Sequence, residues 1–264
     1  MPIKRYIADA DNTITNAFEP DLVTRGTGSN MGQSDILEVF SIYAQASSAS
    51  VENQRVLVQF PITQITSDRS TGAIPASGSA EFYLKLSNTA HNQQTPKDYE
   101  LVVTAMSKSW QEGDGLDLDN YSDLTYDGIG SNWINANVTA GTVTTWSSAG
   151  GDFYTDASSS FTASFDTGTE DLEINITTLV EQWLNSGGNV LGSKSNYGVG
   201  IRLNNAYEGS SSANPTGATK PYYTKKFFAR HSEFFFKRPH IEARWDSIKQ
   251  DDRGSFYFSS SLAP

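Results

Sequence analysis

Carboxylates crowd one short stretch of this 264-residue chain. Trp110-Gln111-Glu112-Gly113-Asp114-Gly115-Leu116-Asp117-Leu118-Asp119, continuing to Asp123 and Asp127, puts six acids and no base between positions 112 and 127. Oxygen donors on a glycine-containing loop are what hard cations select, so Asp114, Asp117, Asp119 and Asp123 are candidate calcium ligands. The EF-hand spacing fails: Tyr121 and Ser122 stand where Asp or Asn and Gly belong, and Gly128 stands at the bidentate Glu position. A solvated acidic loop without a bound cofactor is the simpler expectation, with calcium as the alternative.

The three histidines, His91, His231 and His240, show no metal-ligand spacing. His231 with Arg230 and Tyr222 or Tyr223 offers a lyase-like or hydrolase-like group for proton transfer, but no nucleophile motif accompanies it. Structural or surface roles are expected, and the chain is read as a non-enzyme. Among the five tryptophans, Trp133 and Trp146 lie in polar, glycine-rich surroundings and are candidate stacking platforms for sugar rings, or pins for long loops.

Nine of the 19 basic residues fall between 220 and 253. Lys220, Lys225, Lys226, Lys237 and Arg238 are the candidates for an assembly surface opposite in sign to the acidic loop, as lateral contacts between identical subunits use. Phe227, Phe228, Phe234, Phe235 and Phe236 interleave with these cations, which places part of the region in the core.

Composition limits the alternatives. With 30 acids against 19 bases the net charge is -11, so neither nucleic acid nor an anionic membrane is an expected partner of the bulk chain. No cysteine is present, which excludes disulfides, zinc-cysteine clusters and thiol nucleophiles. The opening MPIKRYIADAD leads into no signal-peptide core, and no apolar run approaches the roughly 18 residues of a membrane span.

The elements that must position these residues are mainly strands. Period-two alternation in ILEVFSIY (36–43), RVLVQF (55–60) and AEFYLKL (80–86) predicts one-sided strands, with further candidates at 99–106, 142–146, 161–165, 172–176, 199–203, 226–230 and 240–245. About ten strands require two packed sheets or a barrel. Ile176, Leu179, Val180, Trp183 and Leu184 instead recur at helical spacing, Thr178 and Glu181 give a capping-box spacing, and Gly187-Gly188 supplies a stop. This predicts one short amphipathic helix. The polar stretches 24–34, 67–77, 186–195 and 208–219 read as loops, and one β-sandwich domain over residues 1–264 is expected.

The order of segments IADADNTITNAF, TRGTGSNMGQSDILEV, RVLVQFPI, FYLKL, SWQEGDG, DLEINITTLVEQWLNSG, NYGVGIRL and KKFFARHSEFFFKRPHIEARW resembles the DNRLRE-type β-sandwich modules. The resemblance implies a jelly-roll-like sandwich, in modules that accompany polysaccharide-degrading or cell-surface proteins and in some cases bind carbohydrate. The chain is also similar to virion structural proteins of tailed bacteriophages, notably those of marine cyanobacteria, which carry such a module near the N-terminus. That likeness implies a protein assembled in the host cytoplasm, without export signal or disulfides, whose partners are other virion proteins and copies of itself. A carbohydrate-binding module using Trp133 and Trp146 is the alternative, and a polysaccharide-cleaving enzyme built on Arg230 and His231 is a third reading. The closing DDRGSFYFSSS is expected to lead into further chain beyond Pro264.

Overall fold

A computed structural model describes residues 2–90, 96–116, 129–139, 141–185 and 191–247. The chain forms an all-β sandwich with thirteen strands among the described residues, all paired antiparallel. One sheet has four strands in the order β1 (Ile3–Ile7), β13 (His240–Arg244), β5 (Glu81–Leu86), β10 (Leu172–Asn175). The other runs β12 (Tyr222–Phe228), β3 (Ile36–Tyr43), β4 (Val51–Gln59), β11 (Val199–Leu203), β6 (Tyr99–Ala105), β9 (Ser160–Phe165). β2 (Ala10–Thr15) lies along the other edge of β4: it spans Gln59 to Gln54, while β3 spans Gln54 to Val51 on the edge that β11 continues. A separate hairpin joins β7 (Asn135–Thr139) to β8 (Thr142–Thr145).

The alternation read for β4 and β5 is the one that packs, whereas β3 sends Leu37 and Val39 into the core and leaves Ile36, Ile42 and Tyr43, expected inward, half-buried. Phe82, Leu84 and Leu86 of β5 are buried while Glu81 is exposed and Tyr83 and Lys85 are half-buried. They meet Val56 and Val58 of β4, Val103 of β6 and Ile201 of β11 in the core between the sheets. Leu57, between Val56 and Val58, points the other way. It joins Ile14, Met106, Trp110, Trp133, Ala136 and Trp146 in a second cluster, so the larger sheet is covered on both faces.

Three strands were not expected, and their residues explain why. β2 reads ADNTIT, and its Asp11, Asn12, Thr13 and Thr15 are buried as completely as Ile14, so polarity conceals the burial. β1 buries only Tyr6, and β7 is rich in asparagine.

The expected helix is present as α2 (Thr177–Leu184), but a second one, α1 (Ile62–Ser70), precedes it. α1 lacks an apolar stripe, burying only Ile65, and its second half falls in the 67–77 stretch expected as loop. Tertiary pairing holds it: Arg69 donates to both oxygens of Glu181 (2.9 and 2.6 Å), and Lys4 pairs with Asp68 at 2.7 Å. Glu181 is therefore engaged away from the expected capping box, and α2 has no side-chain cap. Thr177 instead accepts the Phe82 N–H and donates to Asn175. Gly187 and Gly188 lie outside the described residues.

Candidate functional site

The glycine-rich segment around Asn30 and the segment after Trp110 close over one another. The Asn30 amide donates to the carbonyls of Glu112 (2.6 Å) and Ser131 (2.7 Å), and its Oδ1 accepts from Gly32 and Gly115. Gly113 has φ +89°, and a β-carbon there would collide with the Asn30 amide. This clasp delivers Glu112 to Arg230, which follows β12. Arg230 Nε and Nη2 donate to Glu112 Oε1 and Oε2 at 2.9 and 2.6 Å, and Oε1 also accepts the Asp11 N–H at 2.8 Å. Asp11 Oδ2 accepts the Arg230 N–H at 2.5 Å, whereas Oδ1 is buried without a partner among the described residues.

The electrostatics follow from this packing. Burial pushes the Asp11 carboxyl up to about 7, with Glu112 adding to the rise and the Arg230 N–H and charge opposing it. Glu112 stabilises the Arg230 cation, raising it further. Burial, followed by the Arg230 charge, lowers His231. Arg230 Nη2 lies 2.8 Å from His231 Nε2. A guanidinium only donates, so that ring nitrogen accepts and the imidazole is neutral with its proton on Nδ1. Asp11 is wholly inaccessible and Arg230 Nε and Nη2 are taken by Glu112 and His231, so the group best equipped for proton transfer serves as an internal clasp. His240 is buried in the smaller sheet and His91 lies outside the described residues.

Trp133 and Trp146 are brought together, but as core: they are 7% and 5% exposed. Trp146 donates to the Asn132 carbonyl at 2.8 Å, and the Arg55 guanidinium lies over the Trp133 ring at 5.0 Å. Two large rings in the second cluster satisfy the apolar outer face around Leu57, so they pin loops and do not present open platforms. Trp133 does reach the wall of a polar groove of about 1050 Å³ that no sequence pattern announced. Arg55, held by a fork to Glu208 and by the Gly150 carbonyl, lines it with Arg202, Lys108, Asp152 and Tyr154. Arg202 donates through Nη1 to Asn205 and the Leu203 carbonyl, and burial lowers its pKa. These residues come from four separate strands and loops, which explains why they went unseen as a group.

The basic candidates separate. Lys225 is buried, its ammonium donating to Asn88 Oδ1 (2.7 Å) and the carbonyls of Gly168 (3.1 Å) and Glu170 (2.5 Å), and burial lowers it to about 8. It cannot belong to an assembly surface. Lys226 pairs with Glu38 at 3.2 Å, Lys220 lies over the Tyr222 ring, and Lys237 is exposed beside half-buried Arg238. Phe227 is core as expected, but Phe234, Phe235 and Phe236 are 51%, 53% and 79% exposed.

Asp114 is exposed, while Asp117, Asp119 and Asp123 lie outside the described residues. Among the described residues no three His, Cys, Asp or Glu side chains group as metal ligands, and no helix is long and apolar enough to cross a membrane. No family model matches the chain, and no curated protein matches it.

Proposed function

We propose that the chain is a non-enzymatic structural protein of a tailed-bacteriophage virion, a building block of the capsid surface, neck or tail. The observation that carries this reading is the exposed triplet Phe234 to Phe236. A contiguous aromatic surface on a chain this polar is what contact with another subunit covers. The inward locking of Arg230, Glu112 and Asp11 supports a role in shape over reaction, and the segment order that resembles virion modules supports the setting. In this reading the protein is assembled in the host cytoplasm and its partners are other virion proteins and further copies of itself. Mass spectrometry of purified particles tests it: the chain is expected as a stoichiometric component, and its absence from intact virions overturns the reading.

The polar groove favours a second reading, a carbohydrate-binding module. Guanidinium and carboxylate groups beside Tyr154 and the Trp133 edge offer hydrogen bonds and stacking to a saccharide. Glycan-array binding lost in Arg202→Ala and Tyr154→Ala, with thermal stability kept, supports it; silence of the wild-type chain across neutral and acidic glycans removes it.

A further inference from the structure

The segment linking β12 to β13 carries five consecutive exposed residues, Glu233-Phe234-Phe235-Phe236-Lys237. The triplet is held in shape. Residues Phe235–Lys237 form a turn of 3-10 helix, Ser232 Oγ accepts the Phe234 N–H at 3.2 Å, and Arg238 Nε donates to the Ser232 carbonyl at 2.9 Å. The Lys237 ammonium sits 4.8 Å from the Phe228 ring and 5.5 Å from that of Phe234, and Arg238 sits 5.4 Å from that of Phe235. A rigid knuckle loses little entropy on docking, so its exposed rings are suited to a contact.

Its charges select the occupant. Neither Glu233 nor Lys237 has an ion-pair partner within 4.0 Å among the described residues. The acid and the base are equidistant in sequence from Phe235. A two-fold axis through a contact makes residue i of one protomer face residue j of the other and the reverse. With the axis passing between the acid and the base, each Glu233 faces the partner's Lys237 and the exposed rings lie between the two copies. The sequence is complementary to itself in that arrangement.

We infer that the Glu233–Lys237 knuckle is a two-fold docking surface for a second copy of this chain. The inference rests on the reading of the protein as an assembling building block and names the surface. Five residues are far fewer than the roughly 20–30 a side of a standard stable interface, so the dimer is weak, in the micromolar range or above.

Analytical ultracentrifugation over a concentration series tests it, with reciprocal charge exchange. The wild-type chain is expected to dimerise reversibly. Phe235→Ser should raise the dissociation constant about tenfold or more, as loss of a central aromatic anchor does. Glu233→Lys and Lys237→Glu alone should each weaken the dimer, and the double variant should recover it. A monomer at every concentration overturns the inference. A dimer or larger assembly indifferent to all four variants also overturns it, while leaving assembly through another surface standing. Pelleting of the monomer with vesicles of phosphatidylcholine and phosphatidylglycerol, lost in Phe235→Ser, would assign the knuckle to a lipid surface and overturn the dimer. Unchanged circular dichroism of the variants shows that each outcome concerns the surface and not the fold.

Discussion

Arg230 and Glu112 meet as two parallel hydrogen bonds, and the same Glu112 oxygen that receives Arg230 Nε also receives the backbone N–H of Asp11. One carboxylate thus joins β2, the segment after Trp110 and the connection that crosses from the larger sheet to the smaller. Glu112→Ala should leave Arg230 unpaired in a partly buried site and release the Asp11 N–H, at a cost of roughly 3 kcal/mol. Arg230→Lys keeps the charge but loses the fork and should cost a substantial part of that. Urea denaturation measures both, and midpoints equal to wild type would show that the pair contributes nothing.

The carboxyl beneath that pair gives the stability a pH dependence. Asp11 is held up to about 7 by burial, against 3.8 ordinarily. Across that interval the folded chain keeps a proton that the unfolded chain releases. The Asp11 contribution is therefore full below about pH 4 and lost as pH rises through about 7. Asp11→Asn cannot titrate, so the variant should lose less stability than wild type between those limits. Melting temperatures across the interval compare the slopes, and parallel curves would place the Asp11 pKa back in the ordinary range.

Trp133 and Trp146 make the second cluster a structural layer. Replacing either by Ala should cost about 3–5 kcal/mol, because the ring leaves a cavity between the β7–β8 hairpin and the outer face of β4. Trp146→Phe keeps most of the volume and loses only the bond to the Asn132 carbonyl. Thermal melts distinguish this from an open platform, whose replacement by Ala would leave the melting temperature unchanged.

Strands whose inward face is uniformly apolar, such as β5, were legible, and so was the stripe of α2. β2 and α1 were not, because their burial is carried by side-chain partners distant in sequence: Asn12 bonds Ser131, and Arg69 bonds Glu181. Periodicity reports the solvent preference of single side chains and is blind to a polar group that finds its partner over a hundred positions away. The same limit explains the tryptophans. Polar neighbours in sequence suggested exposure, whereas the rings cover Leu57, which the alternation of β4 turned outward. The exposed phenylalanines reversed the error, since aromatic identity suggested core and the 3-10 turn exposes them.

Lys225 and Lys226 are neighbours that should behave oppositely. The Lys225 ammonium ties β12 to the 168–170 turn and to Asn88, and it lies over the rings of Phe165 at 4.7 Å and Phe227 at 5.2 Å. Lys225→Met fits the apolar stem but leaves the Gly168 and Glu170 carbonyls without this donor, which should cost about 2–3 kcal/mol. Lys226 forms one partly exposed pair with Glu38, so Lys226→Met should change stability by less than about 1 kcal/mol. Burial lowers Lys225 to about 8 from 10.5. Above about pH 8 the folded chain sheds a proton that the unfolded chain still holds, so wild type should gain stability over Lys225→Met as pH rises toward about 10. Denaturation of both variants at neutral and alkaline pH checks the contrast, and equal losses at the two positions would return Lys225 to the surface.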